Sequence, residues 1–135
     1  VGFKIEDLVE LLYASSIQGT DDFDEAIAAM HQAIDQARAK ILSKDHVVED
    51  VLVEQVDALT DLLYFTYGSF SLLGVDPQPI LEIVHQANMG KLFPDGKPHY
   101  DPVTHKVLKP ENWASDYAPE EKIKAEIQRQ KKSKQ

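Results

Sequence analysis

This 135-residue sequence predicts an all-α fold, a helical bundle of three or four core helices followed by an irregular C-terminal region. Three observations predict it. Apolar residues recur at i, i+3, i+4 and i+7 through the first two thirds of the chain. Turn chemistry falls between those segments, at Gly19-Thr20, Ser43-Lys44-Asp45 and Gly74. A strand-like pattern is confined to a short stretch around Tyr100.

The first helix spans about 3–16, with Ile5, Leu8, Val9, Leu12 and Tyr13 on one face. Gly19-Thr20-Asp21-Asp22 reads as a stop followed by an N-cap region. A second helix, about 22–42, carries the stripe Ala26, Ile27, Met30, Ala33, Ile34, Ala37 and Ile41. After the connector Ser43-Lys44-Asp45, a long helix is expected over about 46–73. It directs Val48, Leu52, Leu59, Leu62, Leu63, Phe70 and Leu73 to a core and ends at Gly74. Asp76 is the N-cap of the next helix, with Pro77 at its first position. Ile80, Leu81, Val84 and Ala87 form its apolar side, and it should end near Gly90.

Beyond Phe93 the pattern changes. Pro94-Asp95-Gly96-Lys97-Pro98 is turn chemistry. His99-Tyr100 and Lys106-Val107-Leu108 fit the arms of a small hairpin. Pro110 to Pro119 is irregular, and the single Trp113 is expected to anchor that segment. Residues 119–133 have weak helical character with a Lys-rich end that should fray. The expected organisation is one α-helical domain over 1–119 and a basic, partly helical tail over 120–135.

Composition excludes several classes. Without cysteine there is no disulfide framework, thiolate metal site or cysteine nucleophile. No apolar run reaches the roughly 18–20 residues that span a bilayer, and the sequence from Val1 shows no signal-peptide pattern. A cytoplasmic protein without membrane partners is the expectation. The net charge is −9, but residues 120–135 carry six basic and three acidic side chains. The remaining 119 residues hold eight basic against twenty acidic ones. So acidic a body disfavours nucleic acid, whose phosphates need Lys and Arg. Its carboxylates are either a solvated surface or, in part, oxygen ligands for divalent cations.

Two segments favour the cation. Glu6, Asp7 and Glu10 place carboxylates one turn apart on the first helix, and Asp57 and Asp61 do so on the long helix. Like charges at that spacing cost a few tenths of a kcal/mol. Asp61 directly precedes Leu62-Leu63-Tyr64-Phe65, and a carboxylate beside core positions needs a partner. Glu25, Asp35 and Glu49 show a similar density and read as solvated. Glu82-Ile83-Val84-His85 has the Glu-x-x-His spacing of di-iron bundles, but those use two such motifs and two further Glu. Asn88 and Lys91 lie one turn apart. Lys91 either complements the helix dipole or, with Asn88, suits a phosphate and a base edge. His31, His46, His99 and His105 show no site spacing, and no phosphate loop, Ser/His/Asp set or zinc signature is present.

Three stretches carry a resemblance. Ile5-Glu6-Asp7-Leu8-Val9-Glu10-Leu11-Leu12 resembles the first acidic helix of the all-α nucleoside triphosphate pyrophosphohydrolases, the superfamily of MazG-like and phosphoribosyl-ATP pyrophosphohydrolase-like proteins. Val56-Asp57-Ala58-Leu59-Thr60-Asp61-Leu62-Leu63-Tyr64 resembles the second, continued by Tyr67-Gly68 and Leu73-Gly74-Val75. Val84-His85-Gln86-Ala87-Asn88-Met89-Gly90-Lys91-Leu92 with Pro94-Asp95-Gly96-Lys97-Pro98 is similar to the nucleotide-contacting helix and its loop.

The resemblance covers most of 3–112 and implies hydrolysis of a nucleoside triphosphate to monophosphate and pyrophosphate. It implies Mg²⁺, with Mn²⁺ as a substitute, on Asp7, Glu10, Asp57 and Asp61. Glu6 and Glu10 would be catalytic, Asn88, Lys91, His85 and Tyr64 would contact substrate, and a homodimer or homotetramer would form. The departures are specific. Asp7 stands where the family has Glu, and Ala58 stands where the second motif has its first acid, so that Asp57 or Glu54 must substitute. Residues 22–42 look like an inserted helix. Almost nothing precedes residue 3, which points to a missing upstream helix. The rival reading is a non-catalytic acidic helical module that oligomerises or binds a basic partner.

Overall fold

The computed structural model describes residues 1–16 and 21–135. Among these residues there are six helices: α1 (Gly2–Ser15), α2 (Asp22–Ser43), α3 (Val51–Leu73), α4 (Pro77–Met89), α5 (Trp113–Asp116) and α6 (Glu120–Ser133). The fold class is all-α, as the sequence predicts. The expected hairpin is a single antiparallel bridge between Tyr100 and Val107. The stop read at Gly19-Thr20 lies outside the described residues. Among those described, no helix is long and apolar enough to cross a membrane. The chain divides into two compact units, Val1–Val51 and Leu52–Gln135.

In the first unit α1 packs on α2. Tyr13 and Phe23 meet edge to face, ring centroids 5.2 Å apart, the geometry favoured by the ring quadrupoles. Val9, Leu12, Ala26, Ile27 and Met30 are half-buried beside them. Asp22, Asp24 and Glu25 open α2 and Lys40 closes it, opposing the helix dipole at both ends. Asp45 adopts φ +50°, which turns the chain out of the helical region. The β-branched pair Val47-Val48 follows, so α3 starts at Val51 and not near 46.

In the second unit α3 is apolar on nearly every face. Leu59 and Leu63 are each 52% exposed, and Phe65 is 72% exposed. Of the side chains expected in a core, Leu52, Leu62 and Leu73 are exposed too, and Phe70 is half-buried. A helix apolar all round needs neighbours on several sides, and among the described residues Leu59, Leu63 and Phe65 of α3 are left exposed. Thr60, Thr66 and Ser69 satisfy their hydroxyls on carbonyls one turn back. Gly74, at φ +71°, ends the helix. The Gly74 amide donates to Ser71 and the Val75 amide to the Phe70 carbonyl, which occupies the last-turn acceptors.

The second unit is organised around α4. Asp76 Oδ1 accepts from the Gln78 amide at 3.1 Å, and Pro77 sits where no donor is needed. Ile80 and Ala87 are buried. α6 packs on α4 and is helical through Ser133. Its charges oppose the dipole, with Glu120 and Glu121 first and Lys131 and Lys132 last. The side chain of Gln130, 7% exposed, acts as a peptide mimic. It accepts from the Asp76 amide at 2.8 Å and donates to the Asp76 carbonyl at 3.0 Å. Lys134 Nζ donates to the Gly74 carbonyl at 2.6 Å.

Gln130→Ala therefore removes both side-chain partners of the Asp76 backbone at the start of α4. Urea unfolding should show a loss of about 1–3 kcal/mol, whereas Gln128→Ala, one position on the exposed side, should stay within about 0.5 kcal/mol.

Candidate functional site

The acidic residues singled out from the sequence lie on regular, exposed helix faces. In the first unit Asp7 and Glu10 are one turn apart on α1, beside Glu6. In the second unit Asp57 and Asp61 are one turn apart on α3. Asp57 borders a shallow groove of about 430 Å³ with Leu52, Val56 and Thr60. Among the described residues no three His, Asp or Glu side chains gather around one point. All-oxygen pairs at one-turn spacing on accessible faces are the donor type that suits Mg²⁺, which binds through one or two carboxylates and keeps several waters.

His85 lines a cleft of about 810 Å³ along α4 with Tyr67, Asp76, Gln78, Leu81 and Glu82. Tyr64 does not line it, and its ring is 77% exposed on α3. Tyr67, one turn further on, is the aromatic residue in that cleft, and the period of the helix was the available signal. Glu82 accepts from Gln86 at 3.3 Å.

The end of α4 brings Asn88 and Lys91 together, Lys91 Nζ donating to Asn88 Oδ1 at 2.9 Å. The last carbonyls of a helix lack intrahelical donors, and here each finds one. Gln86 accepts from the Gly90 amide, Asn88 from Lys91 and Met89 from Leu92. Ala87 accepts from the indole Nε1 of Trp113 at 2.7 Å. Trp113 is 8% exposed and anchors its segment as expected. The Lys91 and Lys109 ammonium groups lie 5.7 and 4.4 Å from the centre of its ring. One turn after Trp113, the Tyr117 ring lies against Gly90, where a methyl group would collide with it. Gly90 has ordinary helical φ, so closeness and not backbone freedom demands glycine there. A cleft of about 760 Å³ opens beside this turn, bordered by Met89, Phe93, Pro94 and Asn112.

The loop after α4 holds a pair that the sequence did not signal as a site. His99 stacks on Phe93 with centroids 4.0 Å apart, and its Nε2 is hydrogen-bonded to Asp95 Oδ2 at 2.8 Å. Asp95 Oδ1 also accepts from the Lys97 amide at 2.9 Å. The His99 bond, then the Lys97 amide, hold the Asp95 carboxyl below its ordinary pKa. The pair lies in a loop between α4 and α5, so helical period gave no trace of it. Asp101 is lowered in the same way by the Thr104 and Val103 amides of its turn.

The family model for phosphoribosyl-ATP pyrophosphohydrolase matches residues 1–88. The chain belongs to this family. The matched span carries both acidic pairs and reaches Asn88, and Lys91 and Trp113 lie beyond it. A crystal structure at 1.78 Å of a candidate NTP pyrophosphohydrolase from Exiguobacterium sp. 255-15 is similar over 96% of this chain and 76% of its own. The two share 45% sequence identity with a TM-score of 0.82. No curated protein matches. The chain is thus a pyrophosphohydrolase by family, with the all-α fold that the resemblance implies.

The Asp95–His99 pair of this pyrophosphohydrolase has a defined acid response. A carboxyl depressed in the folded state stabilises it above the ordinary aspartate range, and that contribution is lost as pH falls through the lowered value. In His99→Ala the Asp95 carboxyl, followed by ¹³C NMR titration, should move back up towards its ordinary value. The stability difference from wild type should narrow as the pH falls through the wild-type Asp95 value, leaving the part due to the lost stacking on Phe93.

Proposed function

We propose that this chain hydrolyses a nucleoside triphosphate, or a related nucleotide, to the monophosphate and pyrophosphate in a Mg²⁺-dependent reaction. The observation that carries the reading is the bonded Asn88–Lys91 pair at the end of α4, on a chain whose α1 and α3 each present a one-turn carboxylate pair. Asp7 and Glu10 on α1, and Asp57 and Asp61 on α3, are the carboxylates this reading offers to the metal. Mg²⁺, or Mn²⁺ in its place, supplies Lewis acidity and neutralises phosphate charge when bound.

The remaining roles follow from donor and acceptor chemistry. Lys91 offers an ammonium with three donors, one already on Asn88, so two can serve phosphate oxygens. Asn88 turns its carbonyl oxygen to Lys91, which leaves its amide NH₂ for a sugar or base acceptor. His85 and Tyr64 are the further substrate contacts of this reading. Glu6, with Glu10 next on the same face, accepts the proton of the attacking water. The water oxygen bonds to the α phosphorus, the bond from that phosphorus to the bridging oxygen breaks, and pyrophosphate leaves.

We also propose a homodimer or homotetramer. The exposed Leu59, Leu62, Leu63 and Phe65 of α3 support it, because apolar area on this scale is stabilised by burial at about 25 cal/mol per Å². The setting we propose is cytoplasmic. The same exposed face also favours the rival reading, a non-catalytic module that associates through α3.

Asp61→Ala separates the two. Pyrophosphate release with Mg²⁺ should fall by at least about 100-fold while the circular dichroism spectrum is unchanged, since Asp61 is exposed. Unchanged turnover in that variant contradicts the metal assignment. A wild-type chain inert towards every triphosphate, yet tightly bound to a protein partner, establishes the module.

A further inference from the structure

We propose that Trp113 is a positioning residue for the phosphate end of the nucleotide, acting through Lys91. The inference rests on the reading of Asn88 and Lys91 as substrate ligands.

A free lysine samples many rotamers, and fixing it costs up to about 2 kcal/mol of entropy. Lys91 is half-buried and held by two contacts, Asn88 Oδ1 at 2.9 Å and the Trp113 ring at 5.7 Å. The ring is itself fixed. It is 8% exposed, and its Nε1–H fills the one last-turn carbonyl of α4, that of Ala87, which the following amides leave without a donor. Loss of the indole therefore removes a contact to Lys91 and also frees the backbone turn on which Asn88 and Lys91 stand. Tyr117, one turn along, presses on Gly90 in the same turn. The α4 end is thus gripped at adjacent positions by a segment that starts more than a score of residues downstream.

Lys109 gives the grip a chemical direction. Its ammonium is 4.4 Å from the same indole centre. Lys91 and Lys109 thus both direct an ammonium group at the same indole. In a chain of net charge −9 this is a local concentration of positive charge. The cleft of about 760 Å³ opens at the neighbouring positions Gly90, Leu92 and Pro110, with Glu111 also in its lining. A polyphosphate, with several charges on tetrahedral centres, fits that chemistry better than a carboxylate does.

The test is a double-mutant cycle between Trp113 and Lys91, read in two ways. Binding of inorganic tripolyphosphate with Mg²⁺ is measured by calorimetry, and pyrophosphate release is measured as KM and kcat across a panel of triphosphates. Trp113→Leu should raise the tripolyphosphate Kd and the KM about three- to tenfold, with kcat changed less than about threefold. Trp113→Phe keeps a ring face but loses the bond to Ala87, and should fall between Leu and wild type. In a Lys91→Met background neither Trp113 variant should weaken binding further. Losses that multiply independently of Lys91, or wild-type binding in Trp113→Leu, overturn the proposal. If Trp113→Leu does not fold, the Trp113→Phe cycle decides on the same criteria. A coupled cycle in tripolyphosphate binding with no turnover of any triphosphate sustains the positioning role and refutes the hydrolase reading.

Discussion

The second unit depends on one constraint, that α4 is tied at both ends by residues far away in sequence. Gln130 engages both polar groups of the Asp76 peptide across 54 positions, and Trp113 fills the Ala87 carbonyl across 26. Between these ties Ile80 and Ala87 supply buried contact, and α6 lies along the helix. Hydrogen bonds of this kind are each worth only about 1 kcal/mol net, but an unsatisfied buried partner costs more. Their effect is to give the turn at Asn88–Lys91 a fixed position on a short helix that would be marginal alone in water.

The rest of the unit shows what the absence of such ties means. α3 is longer and more apolar than α4, yet Leu59, Leu63 and Phe65 stay exposed. The Thr60, Thr66 and Ser69 hydroxyls bond to carbonyls of the helix itself, while its large apolar side chains stay exposed. The acidic pair Asp57 and Asp61 sits on this helix, carboxylates among unburied leucines and valines. A surface of that composition joins two demands, burial of carbon and neutralisation of charge. The proposed homo-oligomer answers the first and the proposed Mg²⁺ the second.

What could be read from the sequence divides along the range of the forces. Asp76, Pro77 and Gly74 were legible because capping and αL termination act within a few residues. The acidic pairs were legible because helical period is local, although spacing says nothing about whether a cation uses them. The start of α3 was misplaced because Asp45 takes a left-handed φ that non-glycine residues rarely adopt. α6 read as a fraying tail because its apolar content is low, and Gln130 holds it by polar bonds that leave no periodic trace. Gly90 looked like an ordinary helix stop, whereas its reason is the Tyr117 ring. Trp113 was expected to anchor its segment, but its partner, a bare carbonyl, has no side-chain identity in any sequence.

The central claim is that the C-terminal segment fixes α4 end by end. Amide hydrogen exchange on the full chain tests it most directly, because local opening reports each end separately. Gln130→Ala should speed exchange over 78–82 and leave 86–91 near wild type, and Trp113→Leu should do the reverse. Equal acceleration along the whole of α4 in both variants, or none in either, would contradict the account.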